Sequence, residues 1–459
     1  MMPRPAALLL ALGLAAPLAG TTGAHAAPAP ATLTTTVDAS APAKTKPAPP
    51  AAKATARATK PTTTAKPIAK VAARPSTTVR AMETAVASHL TAGARGRYLG
   101  KGLSGMVVDR TTGRLIWSSN AAKTRMPAST QKVVTAFVTL RSMSPSTQFV
   151  TRTWQSQENP DNIYLRGAGD PTMTSARLAS LAKRTADALH AQGRTTVDLY
   201  LDDSIFPSPT SAVGWKASYL SGGEVQRIRG LTLAGYRGAD GTIAAGNVFR
   251  AQLLLNGITV TDFGRGVAPD ARDLLSESWS AQVRSILATM LSASNNDYAE
   301  YLLRHSALQA GAYPTWTASL AHARSVLVEH DIPTAGYAAY DGSGLSRANR
   351  MPVKTLIGTV SAMYANPSDR ALAFAWGAMP RAGQTGTLRA RYKSSAQRCA
   401  TGKVIAKTGT LGDVVGLAGV AKGVDGRDRI FAFIENGNTK TASVRNAVDS
   451  LATATVGCR

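Results

Sequence analysis

The chain holds only six histidines, His25, His89, His190, His305, His322 and His330, scattered and in no motif. Neither a Ser-His-Asp triad nor a zinc site is indicated, and no metal or cofactor is expected. Cysteine is scarcer still, with Cys399 and Cys458 alone. In an exported chain two cysteines suggest one disulfide, closing a loop of about 60 residues and contributing about 4 kcal/mol in the chain-entropy model. Two free buried thiols are the alternative. Acidic residues are few, 27 against 52 lysines and arginines, for a net charge of +25 over 459 residues. No basic run with interleaved aromatics accompanies that excess, which argues against nucleic acid as a partner. The charge suits work beside polyanions such as a cell wall or anionic lipid, and equally an arginine-rich proteome. Past the N-terminus no stretch is long and apolar enough to span a membrane, and no internal repeat is visible.

Residues 1–26 read as a secretory signal peptide. Arg4 supplies the positive start, Ala6 to Ala19 the apolar run, and Ala24-His25-Ala26 a small-x-small cleavage site. The expected location is therefore exported, extracellular or cell-wall associated, with an uncleaved membrane anchor as the alternative. Residues 27–75 are Ala, Pro, Thr and Lys with almost no large apolar side chain, and Lys44, Lys46, Lys53, Arg57, Lys60, Lys66, Lys70 and Arg74 face only Asp38. Such a segment cannot bury enough surface to fold, so a disordered, semi-extended linker is expected.

From residue 76 the texture becomes that of a folded domain. Val79, Met82, Val86 and Leu90 recur at helical spacing, and Gly105–Asp109 and Arg114–Trp117 flank a turn as a β-hairpin does. Between residues 146 and 271 short apolar runs (Ile163–Leu165, Val197–Leu201, Leu231–Leu233 and Gln252–Leu255) are cut by Gly, Asp and Pro, with one helix near Ser175–Gln192. That predicts a mixed, mostly β insert. Trp279, Val283, Ile286, Leu287 and Met290 then mark a helix, and Tyr298, Leu302 and Leu303 begin another. Val404–Thr410, Val414–Val420 and Arg429–Ile434 read as antiparallel strands, and Thr441–Val456 as a closing helix. The fold class expected is α+β, with an antiparallel sheet flanked by helices and a helical subregion. One domain is assembled from residues 76–145 and 272–459, and residues 146–271 are inserted into it.

Candidate chemistry starts at Pro127-Ala-Ser-Thr-Gln-Lys132, read as the opening of a helix with Pro127 in its first turn. Ser129 and Lys132 stand three residues apart and share one face. A lysine desolvated there loses basicity until its neutral form can take the serine proton. Ser-x-x-Lys arises by chance roughly once in a chain this long, so its meaning depends on company. The company is Ser294-Asn295-Asn296 between two helices and Lys407-Thr408-Gly409 on a strand. Three motifs in this order and setting are those of active-serine penicillin-recognising enzymes.

On these residues the chain resembles the class C low-molecular-mass penicillin-binding proteins, serine-type D-alanyl-D-alanine carboxypeptidases and endopeptidases of the dacB-like family. Gly169-Asp-Pro-Thr172, Asp203-Ser-Ile-Phe206, Asp341-Gly-Ser-Gly-Leu-Ser-Arg347 and Lys407-Thr-Gly-Thr-Leu411 are similar to that family's blocks, from about Ser76 to the C-terminus. The resemblance implies a penicillin-recognising serine transpeptidase-like domain, with peptidoglycan stem peptides and β-lactams as partners. It also implies roles. Ser129 is the nucleophile, Lys132 the base and Ser294 the proton carrier to the leaving amine, while Asn296 holds Lys132 and the substrate amide. Lys407, Thr408, Gly409 and Thr410 form the strand that binds the terminal carboxylate. The N–H groups of Ser129 and Thr410 form the oxyanion hole, and Lys407 helps depress Lys132. Arg347 is a candidate for contacting the substrate side chain, or for a structural role in its glycine-rich loop. The insert looks shorter than in members with two extra domains. Lys216-Ala-Ser-Tyr219 stands where some members carry an acidic residue that reads the stem-peptide diamino acid, which leaves recognition of that side chain open.

Two other classes fit parts of the pattern. A β-lactamase would need a water-activating Glu-x-x-Leu-Asn; the nearest match, Glu158 to Asn162, has Asp161 in the leucine position. A non-catalytic wall-binding protein would keep the tether and the charge around a relict serine site.

Overall fold

The structure, a computed structural model, describes residues 76–375 and 377–458. The expected signal peptide and linker, residues 1–26 and 27–75, lie outside them. The described residues form one compact unit.

The first sheet is antiparallel and gathers both ends of the chain. Strands β1 (Leu103–Asp109) and β2 (Leu115–Ser119) form the early hairpin. The last three strands are called β8 (Val404–Leu411), β9 (Val414–Lys422) and β10 (Asp428–Asn436) below, and the sheet order is β8-β9-β10-β1-β2. Alternate residues serve two cores. Val107, Val404, Leu417, Phe431 and Phe433 pack beneath helix α1 (Thr77–Ala94) and the closing helix α9 (Thr441–Val456). Ile405, Val420, Ile430 and Ile434 face the helical subregion. Covering both faces is what makes these strands near-continuous apolar runs in the sequence.

Helix α2 (Gln131–Ser142) runs through the helical subregion with Gln131 to Thr139 all buried. It packs against α5 (Val283–Ser292), α6 (Asn296–Gln309), α7 (Trp316–Glu329) and α8 (Val353–Ala365). A helix enclosed on all sides needs apolar residues around its whole circumference. Its buried polar residues therefore need partners, and Thr135 donates to the Gly342 carbonyl at 2.6 Å. The sequence places Ser129 in the first turn of this helix; in the structure Ala128–Thr130 form a separate 3₁₀ turn and the α-helix starts at Gln131. Ala128 takes φ 46°, which breaks the α-helical course just before Ser129.

The insert is a second five-stranded sheet with helices on one face. Strand β3 (Val150–Ser156) pairs antiparallel with β4 (Asn162–Arg166). Helix α3 (Ser175–His190) leads to β5 (Thr196–Asp202), parallel to β4, and α4 (Gly241–Leu255) to β6 (Thr259–Arg265), parallel to β5. Strand β7 (Arg272–Trp279) returns to the far side of β3, giving the order β6-β5-β4-β3-β7. Ile163, Leu165 and Leu199 meet Leu178, Leu181 and Phe249 in its core.

Three sequence readings differ here. Gln252–Leu255, read with the strand-like runs, is the last turn of α4; four apolar residues carry no period that separates helix from strand. Leu231–Leu233 is a loop. Residue 271 precedes a strand of the second sheet, because Arg272–Trp279 pairs with β3, and Trp279 ends that strand instead of opening a helix. Cys399 and Cys458 form a disulfide with Cα atoms 6.0 Å apart.

Candidate active site

Three segments meet because glycines let backbones approach. A Cβ on Gly409 of β8 would stand 2.8 Å from the Pro127 carbonyl oxygen and 3.1 Å from the Ser129 nitrogen. One on Gly416 of β9 would stand 2.9 Å from Thr130 Cγ2. The bare strand face thus seats the Ala128–Thr130 turn directly on the sheet. The other boundary is the α5–α6 connection, where Ser294 adopts φ 59°. Asn295 caps α6 by accepting from the Tyr298 N–H at 2.9 Å, which leaves Asn296, the first helical residue, free to face the cleft.

Lys132 is fully buried, and its ammonium donates to Ser129 Oγ at 2.9 Å, Asn296 Oδ1 at 2.7 Å and the Ser343 carbonyl at 2.8 Å. Those three contacts use all the donors of an ammonium. Burial lowers its pKa to about 8, against the opposing charges of Glu300, Asp341, Asp297 and Glu224. Lys407 is equally buried, donates to Ser294 Oγ at 2.8 Å and the Thr408 carbonyl at 2.9 Å, and is held well below its ordinary pKa by burial and by the charge of Lys132. Thr408 Oγ1 shares a hydrogen bond with Thr387 Oγ1 at 2.7 Å. The Asn296 amide donates to the Glu224 carbonyl at 2.8 Å, so both of its ends are engaged.

A cleft of about 900 Å³ runs over these groups, lined among others by Ser129, Ser294, Asn296, Thr408, Thr410 and Arg347. Gly409, between Thr408 and Thr410 on β8, is not among the lining residues. The Arg347 guanidinium grips the Asp413 carboxylate through two bonds of 2.5 and 2.8 Å, an engagement the sequence does not announce. Among the described residues no cluster of three or more His, Cys, Asp or Glu side chains could hold a metal ion.

Sequence reasoning missed the residues that hold Lys132 from behind. Glu300 is fully buried and accepts from the Gly342 and Ser343 N–H groups at 2.7 and 2.8 Å. Asp341 accepts from the N–H groups of Gly344 and Ser346, the Asn349 amide and the Trp215 indole, at 2.9, 2.6, 2.7 and 2.9 Å. Together they fix the Ser343 carbonyl against Lys132. Two signals were available: Glu300 stands among the apolar residues Tyr298, Ala299, Tyr301, Leu302 and Leu303 of α6, and Asp341 opens the Asp341–Arg347 block noted above. Thr387, Arg391 and Arg445, at another stretch of the cleft wall, carry no motif at all.

A serine bonded to a buried lysine, with a second hydroxyl–lysine pair opposite, on an antiparallel sheet beside a helical region, defines an active-serine acyl-transfer enzyme of the penicillin-recognising class. The chain belongs to the D-Ala-D-Ala carboxypeptidase 3 (S13) family, which it matches over residues 83–236 and 220–455. It is 31% identical over 411 residues to a carboxypeptidase of Mycobacterium tuberculosis, covering 84% of this chain and 86% of that protein. To the D-alanyl-D-alanine carboxypeptidase of an Actinomadura species it is 28% identical over 440 residues, covering 75% and 79%. Its fold matches the crystal structure of penicillin binding protein 4 (dacB) from Haemophilus influenzae with a TM-score of 0.69 at 21% identity, over 79% of this chain and 97% of that one. The chain is thus a serine-type peptidase of this carboxypeptidase family.

Proposed function

We propose that the protein removes the terminal D-alanine from peptidoglycan stem peptides through an acyl-enzyme on Ser129, and that β-lactams acylate the same serine. The 2.9 Å contact between the Ser129 hydroxyl and a buried Lys132 carries this reading. With a pKa of about 8, Lys132 supplies neutral amine near neutral pH, and that amine takes the Ser129 proton as Oγ attacks the carbonyl between the two D-alanines. The new ammonium keeps two acceptors, Asn296 Oδ1 and the Ser343 carbonyl. The negative charge on the carbonyl oxygen falls to the Ser129 and Thr410 N–H groups, each worth roughly 3 kcal/mol in such a role. Ser294, bonded to Lys407, delivers a proton to the departing D-alanine amine. Thr408, Thr410 and Lys407 present the terminal carboxylate with hydroxyls and positive charge. Water then cleaves the ester.

Because Arg347 is committed to Asp413, we assign it first to shaping the cleft wall and only through that pair to the substrate side chain. Glu158, the residue a β-lactamase reading would need, is exposed on the insert and does not line the cleft. The disulfide supports an exported, oxidising location. Intact mass after incubation with penicillin tests the proposal. One covalent adduct on the wild type and none on Ser129→Ala is expected, and an unlabelled wild type would overturn it. Product analysis on muropeptides then separates release of free D-alanine from cutting of cross-links, which share this chemistry and differ in the leaving group.

A further inference from the structure

Strand β8 presents its residues alternately to two sides. Ile405 points into the core of the helical subregion, and Lys407 and Gly409 follow on that side. Val404 and Ala406 point beneath α9, and Thr408 and Thr410 follow on that one. Lys407 is fully buried, is committed to Ser294 Oγ and the Thr408 carbonyl, and does not line the cleft. Burial and the charge of Lys132 also hold it well below its ordinary pKa. A carboxylate seated on the Thr408 and Thr410 hydroxyls therefore lies on the α9 side of an edge strand, and the Lys407 charge reaches it only through that strand.

On the α9 side the cleft wall holds two arginines, Arg391 and Arg445. Thr387 Oγ1 shares its hydrogen bond with Thr408 Oγ1 at 2.7 Å, which fixes the segment leading to Arg391 against the strand edge. Arg391 in turn donates to the Asp449 carboxylate at 2.9 and 2.7 Å and to the Arg445 carbonyl at 3.5 Å. Arg445 thus stands one turn before Asp449, on the flank of α9 that is tied to the edge of β8. It also stands toward the Thr410 end of the strand. Gly437, just before α9, donates to the Asp413 carbonyl at 2.8 Å, whereas Val456, at the far end of the helix, accepts from Val424 at 2.9 Å. Arg391 is consumed by Asp449. Arg445 is exposed and forms no ion pair among the described residues. Of the two acids in the cleft wall, Asp413 is gripped by Arg347, and Glu224 belongs to the Asn296 wall. A guanidinium without a carboxylate, beside two uncharged hydroxyls, is the donor set that a planar carboxylate takes.

We propose that Arg445 is a further substrate-binding residue, its guanidinium pairing with the terminal carboxylate that Thr408 and Thr410 hydrogen-bond. The proposal rests on the function inferred above and narrows its substrate class to amides whose departing amine carries a free carboxylate on the same carbon. A stem peptide ending in two D-alanines meets that requirement, because its last carboxylate takes part in no bond. A cross-link meets it only where the carboxylate beside the departing amine is not amidated.

Equilibrium binding to the full chain carrying Ser129→Ala tests this without turnover. The probes are an N-acylated peptide ending in D-Ala-D-Ala and the same peptide as its C-terminal amide. The free acid is expected to bind more tightly than the amide by at least about tenfold, a charge-assisted contact being lost with the amide. Adding Arg445→Gln should remove most of that preference by weakening the acid alone, and Arg445→Lys should restore part of it. Lys216→Gln, at an exposed lysine of the same cleft that acts on Asp413, should leave the preference intact. An undiminished preference in Arg445→Gln, equal weakening of acid and amide, or loss of the preference in Lys216→Gln instead would overturn the proposal. Arg445-dependent binding of the acid by Ser129→Ala, together with a wild type that never forms a penicillin adduct, would leave this site standing and remove the proposed activity.

Discussion

Glu300 and Lys132 are joined through a single residue, Ser343: the Glu300 carboxylate accepts from the Ser343 N–H at 2.8 Å, and the Ser343 carbonyl accepts from the Lys132 ammonium, also at 2.8 Å. Both side chains are fully buried. Burial, and then the charge of Asp341, pushes Glu300 up to about 8, the range into which burial brings Lys132 down. Lys132, the proposed base, and Glu300 therefore change protonation in the same pH range.

The first consequence is a pH profile. Only neutral Lys132 can accept the Ser129 proton, and the neutral fraction grows as pH rises through its pKa of about 8. Penicillin acylation should climb between pH 6 and 9 with a midpoint near 8, read from labelling rates. Lys132→Arg, which stays charged throughout, should acylate slower by a factor on the order of a thousand or more at every pH.

Glu300→Gln should move that midpoint downward, because a negative charge that favours the Lys132 ammonium is gone. The rate at the plateau should also fall about tenfold, since a Gln amide can accept from only one of the two N–H groups that Glu300 holds. Labelling rates across the same pH range measure both.

The same residue shapes stability. Glu300 has a folded pKa of about 8 against 4.5 in the unfolded chain, so the folded state binds the extra proton between those values. Its stabilising contribution is full below pH 4.5 and is lost as pH rises toward 8. Urea unfolding at pH 5 and pH 8 should show a smaller loss of stability over that interval in Glu300→Gln than in the wild type.

Gly409→Ala places a methyl group 2.8 Å from the Pro127 carbonyl oxygen and 3.0 Å from the Thr130 nitrogen, both backbone atoms that cannot swing aside. We expect a loss of about 1–3 kcal/mol, seen as a lower Tm, with slower acylation because the Ser129 turn is pushed off the strand.

The Cys399–Cys458 bridge spans 59 residues of sequence and ties the 3₁₀ turn Arg398–Ala400, before β8, to the end of α9. Chain entropy puts its contribution at about 4 kcal/mol. The Cys399→Ser, Cys458→Ser double variant should melt well below the wild type, and thiol reduction should lower the wild-type Tm toward that of the variant.

What could be read from residues alone followed from strong local signals. The strands of the first sheet are long apolar runs between turn residues, and α9 lies where its periodicity put it, at Thr441–Val456. Ser129, Lys132, Ser294, Asn296 and Lys407 stand in short motifs whose order is informative. The insert was harder: Gln252–Leu255 is too short to declare its period, and β7 joins a strand that began more than 120 residues earlier.

The sequence by itself determined which groups are available for acyl transfer and which segments are apolar enough to form the sheet and the enclosing helices. Only the tertiary structure decided what surrounds them. Glu300 and Asp341 act on Lys132 through backbone N–H groups of a loop, and Arg347 is tied to an aspartate 66 residues away. Arg445 comes to the Thr408 edge of β8 only when α9 packs across the first sheet. Local propensity governs neighbours along the chain, whereas charge, desolvation and hydrogen bonding act through space, at distances that folding alone sets.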